Sequence, residues 1–485
     1  MAIAANRIAT PYANGLLQII GMYCLYAVIS HRKENAKIFL AWLFTTLWLV
    51  GSVWWLYIAL HDVGKLHAII TVLALLLLCG GLAIYYMATL GLWVFVSERI
   101  PVAGKPVLFA ACWTFAELAR AQWWTGFPWA AIGYSHIDTS LSLAAPYVGV
   151  YGIGFLSACV SAYTYEYFRK KTIWIFVVIG LLLSAPLLIK NKESKPTDFT
   201  VNLLQGNIKQ DEKFNVGRQE ALKWYLTELN NSTADITVLP ETAIPFIKED
   251  LPDEFWAQLN QVTQNKAVIL GIPSRDKDKG YGNSAIGLGF DQSLQYDKYH
   301  LVPFGEFTPA TFKWFTQLMA LDFGDFNRGA IDQPPFELNQ QKMAVTICYE
   351  DLFGEDLAVR FNQAEKAPSL FVNISNIAWF GDTSVVGQHI DIARMRSKEF
   401  QRPTIRATNS GGTAIISAKG EVLAELKPYA RGNLTGHIPE SSQEITVFAY
   451  WAGKWGLMPM WMMTGAIMCM ALMFKLFGRR VESLK

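Results

Sequence analysis

The uneven distribution of apolar residues along the chain constrains its fold more than any other feature. Residues 1–190 contain long apolar runs, residues 195–445 carry a charge every few positions, and residues 456–478 are apolar again. Only 17% of the 485 residues are charged, against about a quarter in soluble domains. We therefore predict a transmembrane helical bundle over residues 1–192, a water-soluble domain over residues 195–445 and a C-terminal transmembrane helix over residues 456–478.

Seven segments of the chain are long and apolar enough to cross a bilayer, which takes about 20 mostly apolar residues. The third segment is long enough to tilt, or to break at Gly80 and Gly81. The predicted spans are residues 12–30, 38–60, 67–96, 104–124, 143–166, 172–190 and 456–478.

The positions of lysine and arginine predict the orientation of these spans, because cytoplasmic loops are enriched in both residues. Segments that follow the first, third, fifth and seventh spans contain eleven of them, whereas the opposite loops, 61–66 and 125–142, contain only Lys65. We therefore expect a multi-pass protein of a bacterial inner membrane, with residues 195–445 on the periplasmic side. The net charge of +2 gives no indication of a nucleic-acid partner.

The cysteines are distributed along the chain in the same uneven way as the apolar residues. Five of the six lie in apolar segments, where cysteine behaves as a small buried hydrophobe, and only Cys348 lies within residues 195–445. That domain therefore has no internal disulfide. No CxxC motif or Cys/His cluster indicates zinc, and we expect neither a metal nor a cofactor.

Short apolar runs that end in turns or polar residues predict buried strands in the soluble domain, and helical patterns lie between several of them. Strands that alternate with helices indicate a layered α/β domain. The predicted strands are 199–205, 236–240, 267–271, 284–289, 343–348, 369–374 and 412–417, and the predicted helices are 217–230, 252–265, 354–364 and 387–402.

Charged residues recur at helical spacing near the end of the last predicted helix. This spacing favours a solvated or ion-paired helix face over a phosphate-binding site. The residues concerned are Arg394, Arg396, Glu399 and Arg402.

Three reactive side chains stand at or just beyond predicted strand ends, where α/β folds place their ligand sites. Glu241 follows the strand 236–240, Lys298 follows the run SLQY at 293–296, and Cys348 ends the strand 343–348. A carboxylate can take the proton of a cysteine thiol, and a lysine can stabilise a thiolate or a developing oxyanion. A Cys–His alternative would have to bring a histidine from a distance: His300, His389 or His437.

Several segments of the chain resemble known motifs. The sequences LPETAIPF (239–246), YDKYHLVPFGEF (296–307) and VTICYED (345–351) are similar to the three motifs of the carbon–nitrogen hydrolase, or nitrilase, superfamily. One branch of it, the apolipoprotein N-acyltransferases, resembles the chain from about residue 40 to residue 478. The segments that indicate this branch are LLQGNIKQ (203–210), SNIAWFGD (375–382), RPTIRATNSGGTA (402–414) and the membrane stretch TGFPWAAIGYS (125–135).

The resemblance implies an αββα sandwich on the extracytoplasmic side of a multi-span helical membrane domain. It implies that Glu241 is the base, Lys298 the oxyanion-stabilising residue and Cys348 the nucleophile. Supporting roles carry over to Glu306, Tyr349 and Glu350.

The implied reaction is a ping-pong acyl transfer. Cys348 would take the sn-1 acyl chain of a phospholipid, mainly phosphatidylethanolamine, and pass it to the α-amino group of the diacylglyceryl-cysteine of an apolipoprotein. Both substrates are anchored in the lipid bilayer, which agrees with an outward-facing domain tethered at both ends. The alternatives are a membrane-tethered amidase or nitrilase with water as the acceptor, and a transporter with a sensor domain. A transporter would need ionisable residues within several spans.

The sequence departs from the pattern of this branch at three points. The branch usually has eight spans, whereas we predict seven, which would leave the N-terminus outside. Phe214 stands where tryptophan is typical, and Ile377 stands where an acidic residue is usual. These departures concern substrate contacts and leave the predicted triad intact.

The segment 310–329 is rich in large apolar side chains and directly follows Glu306. It predicts either a core helix or a lipid-contacting lid over the site. The candidate lid residues are Trp314, Phe315, Leu318 and Met319.

Overall fold

The computed structural model describes residue 1 and residues 11–31, 34–170, 195–210, 213, 217–264, 266–276, 280–290, 294–309 and 326–477. The chain forms two compact units. The first comprises Met1–Asn191 together with Trp455–Lys485, and the second comprises Lys192–Lys454.

The first unit is helical. Among the described residues, four helices are long and apolar enough to cross a membrane, and a bent pair, Ala36–Ser52 with Leu56–Val63, makes five if it is one span. The 67° bend within this pair shows that the predicted span 38–60 is not one straight helix. Within the described part of the chain, the helices of 18 or more residues are Pro11–His31, Glu34–Ser52, Ala68–Ser97, Gly104–Gln122, Ala145–Lys170 and Met458–Phe477.

Two of the predicted spans differ from these apolar helices. The span 104–124 is the helix Gly104–Gln122, but this helix is not among those apolar enough to qualify. The span 172–190 lies outside the described residues.

Two buried charges of the helix Gly104–Gln122 hold the segment that follows it. The Glu117 carboxylate accepts a hydrogen bond from the backbone N–H of Ile132 at 2.9 Å. The Arg120 guanidinium donates to the carbonyl oxygens of Phe127 and Trp129, both at 2.5 Å. Both side chains thus satisfy backbone groups that an irregular segment would otherwise leave unpaired.

The second unit contains two six-stranded sheets, in the orders β12-β1-β2-β3-β4-β5 and β11-β10-β9-β8-β7-β6. In the first sheet β1, β2 and β3 are parallel, and in the second β7, β8 and β9 are parallel. The strands are β1 (Pro196–Gln205), β2 (Ile236–Val238), β3 (Ala267–Asp276), β4 (Gly280–Leu288), β5 (Leu294–Asp297), β6 (Phe336–Leu338), β7 (Gln341–Ile347), β8 (Leu370–Ser375), β9 (Thr404–Thr408), β10 (Ala414–Ile416), β11 (Val422–Glu425) and β12 (Gly432–Pro439).

Apolar side chains of both sheets meet in one core. Val201 and Ile269 of the first sheet pack in the same buried cluster as Val345 and Ile405 of the second. A second cluster joins the outer face of the first sheet to its helices, and a third does the same for the second sheet. The unit is therefore an αββα sandwich. Its helices are Gly217–Asn231, Asp253–Val262, Gly354–Val359, Val385–Phe400 and Val447–Trp455.

The carboxyl ends of the parallel strands position the functional side chains. Because parallel strands point the same way, the residues that follow them gather at one edge of each sheet. Glu241 comes three residues after β2, Cys348 directly follows β7, and Asn376 directly follows β8.

Candidate active site

Cys348 lies at a sharp change of chain direction. It follows β7 and begins the 3-10 turn Cys348–Leu352, and its φ of +55° is in the left-handed region. Few residues other than glycine adopt this conformation, and it occurs often at functional sites. The Asn373 amide of β8 donates to the carbonyl oxygen of Cys348 at 3.4 Å and so contacts the strained peptide.

Asp351, in the same turn, anchors it to the rest of the second sheet. Its carboxylate lies 3.1 Å from Nε2 of His389 and 2.5 Å from the Arg406 guanidinium in β9. Burial alone would raise the pKa of Asp351, but His389 and Arg406 outweigh burial and lower it. The turn that presents Cys348 is therefore held by a buried ionic contact.

Glu350 joins the Cys348 turn to the chain after Lys298. One carboxylate oxygen accepts from the backbone N–H of Tyr299 at 2.7 Å, and the other accepts from that of Ile347 at 2.7 Å. The Tyr296 hydroxyl donates to both oxygens, at 2.8 and 2.9 Å. Burial raises the pKa of Glu350, although the backbone N–H of Ile347 and the charge of Arg360 oppose the rise. The contacts of Glu350 are thus with the supporting structure.

The adjacent Tyr349 is also buried. Its ring lies 5.2 Å from the ring of Phe353 and 6.0 Å from that of His300. These edge-on contacts place the Tyr349 ring against the apolar side of the turn.

Lys298, Glu241 and Glu306 form one contact. The Lys298 ammonium lies 2.9 Å from Oε1 of Glu306 and 3.5 Å from Oε1 of Glu241. The Asn283 amide of β4 donates to the same two oxygens, at 2.7 Å to Glu241 and 2.8 Å to Glu306. One ammonium and one amide therefore hold two carboxylates side by side.

The remaining carboxylate oxygens also accept hydrogen bonds. Oε2 of Glu306 accepts from the backbone N–H of Val302, and Oε2 of Glu241 accepts from that of Asn376, both at 2.8 Å. Each of the four carboxylate oxygens therefore faces an N–H donor. The Asn376 contact also brings the loop after β8, in the second sheet, onto the Glu241 side chain.

The main chain of Glu241 lies against a glycine of the neighbouring strand. A Cβ at Gly271 of β3 would come within 2.6 Å of Cα of Glu241 and 2.5 Å of the Pro240 carbonyl oxygen. Only glycine admits so close an approach. The position of the candidate base is therefore fixed by packing as well as by hydrogen bonds.

Burial controls the electrostatics of the site. Burial alone would lower the pKa of Lys298, which is 1% exposed, but Glu306 and Glu241 outweigh it and raise that pKa. Burial raises the pKa of the Cys348 thiol, and Glu241 raises it further, while Lys298 opposes the rise. Cys348 is therefore a neutral thiol at rest, and a thiol of this kind needs a base before it can act as a nucleophile.

The structure brings Glu241, Lys298 and Glu306 together and places the Cys348 thiol within their electrostatic field. The candidate lid residues Trp314, Phe315, Leu318 and Met319 lie outside the described residues, as does Phe214. Ile377 is buried beside Asn376. Among the described residues, no group of three or more His, Cys, Asp or Glu side chains is placed to hold a metal ion.

Two residues that contact the Glu241 carboxylate, Asn283 through its amide and Asn376 through its backbone N–H, were not predicted from the sequence. Asn376 lies within the segment SNIAWFGD (375–382), which the resemblance had singled out, and its place directly after a buried strand was an available signal. Asn283 is a polar residue at the start of an apolar run. Many solvent-facing strand positions share this pattern, so the pattern alone could not identify Asn283 as a site residue.

Both units match known sequence families. Residues 5–163 match the apolipoprotein N-acyltransferase N-terminal domain, and residues 200–446 match the carbon–nitrogen hydrolase family. An apolipoprotein N-acyltransferase of Verminephrobacter eiseniae is 41% identical over 460 residues, covering 89% of this chain and 85% of that protein. The chain belongs to the apolipoprotein N-acyltransferase family.

Other members of the apolipoprotein N-acyltransferase family are similarly close. The protein of Ralstonia nicotianae is 36% identical, with coverage of 89% of this chain and 85% of its own length. Among solved structures, a mutant amidase of the nitrilase superfamily from Nesterenkonia is 16% identical, covers 53% of this chain and 94% of its own, and has a TM-score of 0.38. The names of the relatives favour acyl transfer over the amidase alternative.

Proposed function

We propose that this chain is an apolipoprotein N-acyltransferase that moves an acyl chain from a phospholipid, through a thioester on Cys348, to the N-terminus of a lipoprotein. The donor would be the sn-1 ester of phosphatidylethanolamine, and the acceptor the α-amino group of a diacylglyceryl-cysteine. The observation that carries the proposal is the contact of Lys298 with Glu241 and Glu306 beside a neutral, partly buried thiol, in a chain of this family.

In the first half-reaction, Glu241 takes the proton of the Cys348 thiol as sulfur attacks the ester carbonyl. The Lys298 ammonium offsets the negative charge that develops on the carbonyl oxygen. The carbon–oxygen bond then breaks, and the proton held by Glu241 passes to the departing alcohol. The products are a thioester on Cys348 and a lysophospholipid.

In the second half-reaction, the α-amino group of the lipoprotein attacks the thioester. Glu241 accepts a proton from the attacking amine, and the carbon–sulfur bond breaks. The proton then returns to sulfur, which regenerates the Cys348 thiol. The net change converts one ester and one amine into an amide and an alcohol, so no oxidant or cofactor enters the balance.

The decisive experiment follows labelled acyl chains. Purified protein in bilayers containing acyl-labelled phosphatidylethanolamine should form a labelled thioester on Cys348, which mass spectrometry of the peptide would locate. Cys348→Ala should remain folded and form no acyl-enzyme. Cys469→Ala is the matched control, since Cys469 is a free thiol in the helix Met458–Phe477, and it should behave as the unmodified protein. Transfer by Cys348→Ala would contradict the mechanism.

The acceptor is tested on the same acyl-enzyme. Addition of a diacylglyceryl-cysteine peptide should discharge the thioester into an amide faster than water releases free fatty acid. Release of fatty acid alone, at a rate unaffected by the peptide, would instead indicate a membrane-tethered hydrolase.

We also infer that the protein resides in a bacterial inner membrane with its second unit on the periplasmic side. The apolar helices and the distribution of lysine and arginine support this orientation. Cysteines introduced within 220–230 should react with an impermeant maleimide added to intact spheroplasts, and cysteines within 480–485 should react only after lysis. The reverse result would refute the orientation.

A further inference from the structure

Lys213 is a buried cation that the half-reactions above do not use. It follows the loop after β1, its side chain is 1% exposed, and its ammonium donates to the backbone carbonyl oxygen of Glu241 at 3.1 Å. Its own backbone N–H donates to the carbonyl oxygen of Lys209 at 3.0 Å. Burying an ammonium removes its hydration, which is unfavourable unless nearby charges or hydrogen bonds compensate. The surroundings of Lys213 should therefore contain groups that stabilise its charge.

The peptide that Lys213 contacts is the one that carries the base. Thr242, the next residue, has a φ of +52°, and the chain at Glu241 packs directly on Gly271. A threonine in the left-handed region is strained, so the main chain at this point needs contacts that hold it. The ammonium of Lys213 supplies one of them, on the carbonyl oxygen that joins Glu241 to Thr242.

The charges of the site also indicate a role for Lys213. Glu241 and Glu306 are two carboxylates, and Lys298 is one ammonium in contact with both. This set has a net charge of −1, which opposes any further negative charge on sulfur or on the substrate oxygen. With the Lys213 ammonium included, the net charge becomes zero before the reaction begins.

We propose that Lys213 is a positioning residue of this site, which fixes the main chain of Glu241 and balances the second carboxylate while negative charge develops on Cys348 and the substrate. The inference rests on the proposed acyl transfer. Burial lowers the pKa of Lys213 to about 8, and Glu241 and Cys348, which face it from the ends of β2 and β7, oppose this shift. Lys213 is therefore charged below about pH 8 and loses its charge above that value.

The test uses four substitutions in the full-length protein. Lys213→Met removes the charge at similar length, Lys213→Gln keeps a neutral donor, and Lys213→Arg keeps the charge. Lys266→Met is the matched control, because the Lys266 ammonium also donates to backbone carbonyl oxygens, those of Leu229 and Ser232, at the other end of the strands.

Two rates are measured across pH 6 to 9.5 and expressed per folded molecule. The first is acyl-enzyme formation from phosphatidylethanolamine in bilayers. The second is alkylation of the Cys348 thiol by iodoacetamide without lipid, quantified on its peptide. At pH 7 we expect Lys213→Met and Lys213→Gln to slow both reactions by about tenfold, because losing the nearby charge should raise the pKa of the Cys348 thiol by about one unit. Lys213→Arg should recover most of the loss, and Lys266→Met should match the unmodified protein.

The pH dependence separates a charge from a merely structural contact. The deficit of Lys213→Met should be full below about pH 8 and shrink above it, because the unmodified protein then loses the same charge. Unchanged rates in Lys213→Met and Lys213→Gln would overturn the inference, as would a Lys213→Arg deficit equal to that of Lys213→Met at every pH. If phospholipid gives no acyl-enzyme in the unmodified protein but the alkylation deficit appears, the proposed function fails and the role of Lys213 stands.

Discussion

Replacing Asn283 by leucine removes the amide that donates to both carboxylates at nearly constant side-chain volume. The two hydrogen bonds measure 2.7 Å to Glu241 and 2.8 Å to Glu306, and each bond to a charged group contributes about 1.5–3 kcal/mol. Glu241 keeps its contacts with Lys298 and with the backbone of Asn376. Glu241, the proposed base, therefore loses one of three donors, and we expect acyl-enzyme formation to fall by about 10- to 150-fold.

The rate of acyl-enzyme formation from labelled phospholipid is measured in single turnovers, and a melting curve for each variant corrects for the folded fraction. The control is Asn433→Leu, because Asn433 also donates its amide to a carboxylate, that of Glu228 at 2.9 Å, but on the exposed face of β12. We expect Asn433→Leu to keep the unmodified rate. If Asn283→Leu keeps it as well, Asn283 does not organise the carboxylates for the reaction, and the assignment of Glu241 as the base loses its structural support.

Three further outcomes are expected. Lys298→Met should lose about 2.7–4 kcal/mol of transition-state stabilisation, the effect of one oxyanion donor, and a smaller loss of kcat/KM would point to another donor. The pKa of Asp351 is lowered on folding, so its contribution to the free energy of unfolding should persist above its ordinary pKa of 3.8 and diminish as the pH falls below it. The measurement compares the melting temperatures of the unmodified protein and of Asp351→Asn as the pH is lowered. A difference in melting temperature that stays constant with pH would contradict this expectation. If the segment 310–329 contacts lipid, Trp314→Ala or Phe315→Ala should slow the use of phospholipid by about 10- to 150-fold. This factor corresponds to the roughly 1.5–3 kcal/mol gained by burying one large apolar side chain. If the segment is a core helix, these variants should instead melt at a lower temperature and keep an unchanged rate per folded molecule.

Most of the central strands of the second unit could be predicted from the sequence because they are buried on both faces. The five residues of β9 and the six of β8 are all buried, and such strands are continuous apolar runs. The run 369–374 therefore identified β8, although β9, with Arg406 at its centre, escaped prediction. The strands β11 and β12 were also missed, since alternate residues are exposed and β12 contains two glycines and a proline. Half-exposed edge strands of this composition resemble loops.

The helix Val385–Phe400 shows where local spacing misleads. Its charge pattern predicts a solvated or ion-paired face, and the ion pairs exist: Arg394 with Asp391 and Arg396 with Glu399, both at 2.9 Å. The face is ion-paired rather than solvated, because these side chains are buried. The local spacing of charges predicts that they can pair along a helix. It does not predict whether other parts of the fold bury them.

The residues around the triad could not be predicted for the same reason. Asn283 contacts Glu241 across 42 residues, Asn376 contacts it across 135, and Lys213 reaches it from 28 residues away. No local period links these positions. They meet because the parallel strands end at a common edge, which becomes apparent only once the strand order is known.

The left-handed conformation of Cys348 has a consequence for laboratory evolution. An L-residue there is disfavoured by roughly 1–2 kcal/mol relative to glycine, so the residue best suited to the backbone at this turn is one without a thiol. A library screened only for heat resistance should therefore enrich glycine at position 348 and, under the proposed mechanism, deliver stable but inactive proteins. Thermostable variants of this enzyme are best sought under a selection that demands turnover in every round, since the backbone and the chemistry favour different residues at this position.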